Sequence, residues 1–158
     1  MNVAGFFRGA FWLARPGRVG PISDNWGRER GLPIDRWYIE RFLESNAGDI
    51  RGRVLEVMDH AYTKRFGAGV TASTVLDVDV RNPNATLTAD LGEPESLPAE
   101  RPFGGRFGGD RTSVTPYGNA RTSMAFLVGL PAEELSEREL AAGHWAFPTL
   151  VTVRAAKG

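Results

Sequence analysis

Three short runs rich in Val, Leu and Thr constrain the fold of this chain more than any other feature. They lie at residues 53–58, 74–79 and 85–91, and each run carries an acidic residue. About fifteen residues separate the first run from the second, which is enough for one short crossover helix. Parallel strands joined in this way predict an α/β fold whose ligands bind at the carboxyl ends of the strands.

The composition predicts one globular domain over residues 1–158. Hydrophobic residues make up 42% of the chain and charged residues 24%, both ordinary values for a soluble domain. The 19 basic and 19 acidic residues give a net charge of zero, which argues against nucleic acid or an anionic membrane as a partner. The absence of cysteine excludes disulfides, thiolate metal sites and a cysteine nucleophile, and it fits a cytoplasmic location.

Residues 1–31 are predicted to form an N-terminal extension and loop. Residues 1–13 are apolar and include Phe6, Phe7, Phe11 and Trp12. This segment is too short to span a membrane, and it predicts a helix that docks its aromatic rings on the domain or on a partner. A helix lying on a membrane surface is the alternative, although its polar face has few Lys and Arg residues.

Helix and strand signals flank the three runs. Pro33 suits the first position of a helix, and apolar residues recur after it at helical spacing up to Leu43. Within that helix, packing is a better interpretation of Trp37 and Tyr38 than ligand contact. Further signals lie in the second half of the chain: a candidate strand at 112–115, a helix at 120–128 capped by Asn119, a capping box at 136–139 that can follow a helix starting at Pro131, and a strand at 149–154.

Two sets of sequence strings resemble a known protein family. The first set comprises residues 31–43 (GLPIDRWYIERFL), 49–57 (DIRGRVLEV) and 62–67 (YTKRFG). The second comprises residues 117–119 (YGN), 125–130 (AFLVGL), 132–135 (AEEL) and the closing strand at 148–157. Together they resemble the two ends of class I methyltransferases that use S-adenosylmethionine, in a bacterial subgroup often found beside sugar-transfer genes.

The resemblance implies a cofactor and a set of roles. It implies S-adenosylmethionine as cofactor and a small-molecule or sugar-containing acceptor. Glu56 matches the acid of the first cofactor motif, and Met58, two residues later, occupies the first position at which that motif has a glycine. Asp79 matches the acid that hydrogen-bonds the ribose hydroxyls. Asp90, with Leu91 beside it, matches the acid near the adenine amino group.

Simpler roles for the same residues remain open. Glu56 can pair with a neighbouring Arg or Lys, and Asp79 can be a solvated residue at a strand end. Asp77 alternates with apolar neighbours, which favours the opposite face of the strand. His60 is a weak candidate for a general base, because a loop histidine without a chemical role is the commoner case. The same holds for His144, and no spacing of ligands predicts a metal site.

The chain departs from the family pattern in two places. The first motif normally has glycines at alternate positions, and here these positions hold Met58, His60 and Tyr62. Near residues 97–109 the sequence passes almost directly from the third run to the tail, so a central block of about eighty residues is missing by comparison with a complete domain. We therefore expect a partial Rossmann-like sheet of about four or five strands with flanking helices.

Loss of that block leaves three hypotheses about function. The first is a methyltransferase-like enzyme whose activity is impaired by the loss. The second is a non-catalytic module that binds a ligand or a partner, and the third is a fragment without activity. Because the first strand would be left with a free edge, a homodimer or a complex with a full-length homologue is the expected association.

Overall fold

The computed structural model describes residues 17, 19–90, 92, 93, 96 and 112–155. The predicted N-terminal helix, the shortened region at 97–109 and Leu91 lie outside these residues. Residue contacts group the chain into two compact units. The first unit combines the described residues up to 42 with residues 112–155. The second unit contains residues 43–90, 92, 93 and 96.

The second unit is built on a parallel sheet. Strand β1 (Gly52–Val57) is followed by the short helix α2 (Ala61–Phe66) and by strand β2 (Val70–Asp77), with strand β3 (Leu87–Thr88) after a loop. The strand order is β1-β2-β3, and both pairings are parallel. The middle strand carries the most deeply buried residues of this unit, Val75 and Leu76, at 1% and 3% exposure. Crossover by way of α2 is the connection that the spacing of the first two runs predicts.

The first unit is built from helices and one antiparallel pair of strands. Helix α1 (Ile34–Ser45) precedes β1 in the chain. Strand β4 (Thr112–Tyr117), helix α3 (Ala120–Leu127), a 3-10 turn (Ala132–Glu134), helix α4 (Glu137–Ala141) and strand β5 (Leu150–Ala155) follow the parallel sheet in sequence. Strands β4 and β5 pair along their whole length, from Thr112 opposite Ala155 to Tyr117 opposite Leu150.

Apolar side chains from these elements form the core of the first unit. Ile34 and Tyr38 of α1 are buried there, and Tyr38 donates a hydrogen bond of 2.9 Å from its hydroxyl to the Leu140 carbonyl. Trp37 and Tyr117 pack against this cluster from its periphery. The packing role predicted for Trp37 and Tyr38 is therefore confirmed.

Two of the predicted helix caps are present. The Asn119 side chain accepts hydrogen bonds from the Arg121 and Thr122 amides, while the Thr122 hydroxyl accepts one from the Asn119 amide. Ser136 and Glu139 form the same reciprocal arrangement at the start of α4. These bonds satisfy amides that the first turn of a helix leaves without partners, and they fix where α3 and α4 begin.

The predicted α/β class is confirmed, but the strands do not form one sheet of four or five. In the part of the chain that the structure describes, three strands form the parallel sheet and two form a separate antiparallel pair. The tail strands pair with each other because their inner face, which carries Tyr117 and Leu150, packs on the core of the first unit. Among the described helices, none is long and apolar enough to cross a bilayer.

Candidate functional site

The carboxyl ends of the parallel strands bring most of the predicted site residues to one edge of the sheet. β1 ends at Val57, opposite Leu76, and β2 ends at Asp77, opposite Thr88 of β3. We call the residues at and just after these ends, 56–60, 77–82 and 89–90, the carboxylate edge. In an open parallel sheet this edge is where ligands bind.

Two carboxylates at the edge close the start of helix α2. The Glu56 carboxylate accepts hydrogen bonds from the Tyr62 amide at 2.9 Å and from the Thr63 amide at 2.8 Å. Asp59 accepts one from the Ala61 amide at 2.8 Å. The first three amides of α2 are thus satisfied by side chains of the chain itself. Glu56 therefore has a clear structural role in positioning α2.

Met58 adopts a backbone conformation that favours glycine. Its φ angle is +73°, in the left-handed region that costs a side-chain-bearing residue about 1–2 kcal/mol. The residue is 62% exposed, so Met58 lies largely in solvent at the edge. Glycine is the residue that adopts this backbone conformation without strain.

Asn82 ties the first two strands together at this edge. Its side-chain amide donates hydrogen bonds of 2.6 Å to the Met58 carbonyl and 2.6 Å to the Asp77 carboxylate. Asp77 also accepts the Asp79 amide at 3.0 Å. The hydrogen bond from the Asp79 amide is the main cause that holds the pKa of Asp77 below its ordinary value, and the hydrogen bond from Asn82 is the second. Asp77 was not predicted for the site, because its alternation with apolar neighbours favours the opposite face of the strand. Asn82 was not predicted either, because no local signal reveals a bond to a residue 24 positions away.

Asp79 forms a bidentate ion pair with Arg81. The Arg81 Nε and Nη2 atoms lie 2.9 Å and 3.0 Å from the two carboxylate oxygens, and the Arg81 amide adds a third bond of 2.9 Å. The Arg81 side chain lowers the pKa of Asp79, and its backbone amide reinforces the effect. Asp79, which the resemblance implies is the ribose-binding acid, therefore already has a counter-ion within the chain.

Asp90 lies two residues after β3 and is exposed. Its carboxylate accepts the Gly92 amide at 2.8 Å, and its own amide donates to the Ser96 hydroxyl, also at 2.8 Å. These local bonds shape the turn that follows the strand. The contact of Asp90 with an adenine amino group stays a prediction.

The two histidines lie in different units. His60 directly precedes α2 at the carboxylate edge, where it is half-buried and its carbonyl accepts the Lys64 amide. His144 belongs to the first unit, where its ring stacks on Trp145 and contacts Phe147. Within the described ranges, no group of three His, Asp or Glu side chains is arranged to hold a metal ion.

The carboxylate edge carries several negative charges, and the main-chain amides beside them already donate hydrogen bonds to these carboxylates. Glu56, Asp59, Asp77 and Asp79 lie there, and Arg81 is the cation bound to one of them. Such a field favours a cationic ligand over an anionic one. No protein-family model, curated protein or solved structure matches this chain.

Proposed function

We propose that this chain is an S-adenosylmethionine-binding, class I methyltransferase-like protein that methylates a small-molecule or sugar-containing acceptor. The missing central block reduces its activity relative to a complete domain. The proposal is supported by the parallel strand order, by the acids at the strand ends and by the chemistry of the groups that remain available for a ligand.

One observation carries the proposal: the Glu56 and Asp59 carboxylates cap the N-terminus of α2 by accepting hydrogen bonds from its first amides. In dinucleotide-binding sheets, the amides that begin this helix receive a pyrophosphate. Here the Ala61, Tyr62 and Thr63 amides already donate to carboxylates. A pyrophosphate would lose these donors and meet two negative charges, whereas the positive sulfonium and ammonium groups of S-adenosylmethionine would be attracted to them.

The residues present fit the adenosine half of this cofactor. A ribose diol needs two acceptor oxygens held at a strand end, and the Asp79 carboxylate has two such oxygens, which Arg81 engages in the absence of a ligand. The left-handed backbone at Met58 turns the chain directly after β1, and the residue is exposed there. These features support cofactor binding at the turn where the family motif has glycine.

Methyl transfer makes modest chemical demands on the chain. When bound, the cofactor supplies an activated methyl group on a sulfonium centre, so orientation of the acceptor is the main requirement. Asp79 and the Met58 turn would orient the cofactor. His60 lies between β1 and α2 and is the candidate, a weak one by sequence, for accepting a proton from an acceptor hydroxyl.

A non-catalytic binding module is the second candidate. Its support is the open side of the parallel sheet: within the described residues β1 pairs only with β2, and Val57 is 50% exposed. An exposed strand edge next to apolar side chains is a site for another chain. A second copy or a full-length homologue would close this side without any chemistry.

Parallel titrations with S-adenosylmethionine and with NAD test the proposal. We expect saturable binding of S-adenosylmethionine and none of NAD at the same concentrations. Tighter binding of NAD would contradict it. Incubation of the chain with labelled S-adenosylmethionine and a panel of hydroxylated and sugar acceptors then separates the enzyme from the binding module, because only the enzyme transfers label.

A further inference from the structure

The hydrogen bonds on Asp79 leave too few acceptor positions for a ribose diol. A carboxylate offers about four lone-pair positions, two on each oxygen. Oδ1 receives both the amide and the Nε of Arg81, while Oδ2 receives Nη2. Only Oδ2 keeps a position, whereas a diol bound bidentately needs one on each oxygen.

We propose that Arg81 is an autoinhibitory counter-ion, which a ribose-containing ligand must displace from Asp79 before it binds. The inference rests on the proposed function, because it concerns the acid that would bind the ribose. Arg81 thereby sets the affinity of the site for nucleosides.

The geometry of Arg81 permits this displacement. Its side chain is 86% exposed and that of Asp79 is 43% exposed, so the guanidinium can swing into water without crossing packed side chains. The two residues are two positions apart on the loop after β2, so release requires only side-chain rotation. Exposed ion pairs are weak and screened by salt, which makes the contact readily reversible.

Calorimetric titration with adenosine tests the inference without the complication of ligand charge. Adenosine is neutral and carries the diol, and 2′-deoxyadenosine lacks it. We expect Arg81→Gln to bind adenosine about two- to fivefold more tightly than the wild type, the range expected for loss of an exposed pair. The control Arg51→Gln removes one exposed positive charge from the same unit and should leave the affinity unchanged.

The gain in affinity should vanish with 2′-deoxyadenosine, because that ligand does not compete for both oxygens of Asp79. Equal adenosine affinity in the wild type and Arg81→Gln would overturn the autoinhibitory role and leave the proposed function standing. Adenosine binding by neither protein would overturn both. Tighter binding of adenosine 2′-phosphate to the wild type than to Arg81→Gln would also overturn the inference, since Arg81 would then be an anion ligand.

Discussion

The side-chain amide of Asn82 lies 2.6 Å from the carbonyl oxygen of Met58 and donates a hydrogen bond to it. The bond crosses from the loop after β2 to the turn after β1, and the same amide also holds Asp77. It therefore fixes the carbonyl of the residue that adopts the left-handed conformation. The shape of the carboxylate edge depends on this contact between two parallel strands.

Replacing Asn82 with Ala should destabilise the second unit. The substitution removes three hydrogen bonds: two that the Asn82 side-chain amide donates and one that its oxygen accepts from the Asn84 amide. Each is worth about 0.5–1.5 kcal/mol, so we expect the free energy of unfolding to fall by about 2–4 kcal/mol. Urea denaturation measures the change. Asn84→Ala is the matched control, because Asn84 is exposed and only its backbone amide donates to Asn82. Equal effects of the two substitutions would show that the strand-bridging bonds contribute nothing.

Glycine at position 58 should relieve backbone strain. The left-handed conformation costs methionine about 1–2 kcal/mol, and glycine loses about 0.5–1 kcal/mol of that gain through its greater freedom in the unfolded chain. We expect Met58→Gly to raise the free energy of unfolding by up to about 1 kcal/mol. Met124→Gly, on the ordinary helix α3, should lower it by about 1 kcal/mol. If both substitutions destabilise alike, the strain assigned to Met58 is wrong.

Glu56→Gln should weaken the start of helix α2. The glutamine NH2 group cannot accept a hydrogen bond, so either the Tyr62 or the Thr63 amide loses its partner. We expect a loss of about 1–2 kcal/mol in the free energy of unfolding and a lower amide protection of Tyr62 and Thr63 in hydrogen exchange. Glu44→Gln, at an exposed position, is the control. Unchanged protection of both amides would contradict the capping role of Glu56.

Acid should destabilise the fold partly through Asp77. Hydrogen bonds from the Asp79 amide and from Asn82 lower the folded-state pKa of Asp77 below its ordinary 3.8. A carboxyl group whose pKa is lower in the folded than in the unfolded state stabilises the fold at pH values above its unfolded-state pKa. This stabilisation is lost as the pH falls through the folded-state pKa. As the pH falls below about 4, Asp77→Asn should therefore lose stability less steeply than the wild type. Parallel curves of unfolding free energy against pH would rule this contribution out.

Local signals in the sequence predict the individual elements well. Pro33 correctly predicts the start of α1, and Asn119 and Ser136 correctly predict the starts of α3 and α4, because a cap depends on residues within one turn. The three runs predict β1, β2 and β3 and their parallel direction. Here the β-rich composition of each run and the length of the crossover agree with the observed pairing.

Tertiary contacts determine what the sequence could not predict. The pairing of β4 with β5 depends on a core that buries Tyr117 and Leu150, and no local pattern specifies which strand β5 joins. The bridge from Asn82 to Met58 spans 24 positions. The ion pair of Asp79 with Arg81 spans only two positions, so the spacing of the two residues permits its prediction. The family resemblance instead implies that Asp79 binds a ligand.

The most direct test of the central claim is calorimetric titration of the folded chain with S-adenosylmethionine, with Asp79→Ala alongside. Asp24→Ala, which removes an exposed acid from the other unit, controls for the change in charge. We predict binding of the wild type and Asp24→Ala on the order of micromolar, and binding by Asp79→Ala that is weaker by about tenfold or more, as expected when a diol loses hydrogen bonds to a charged acceptor. No heat from the folded wild type at millimolar S-adenosylmethionine, or equal affinity in Asp79→Ala, would contradict cofactor binding at the carboxylate edge.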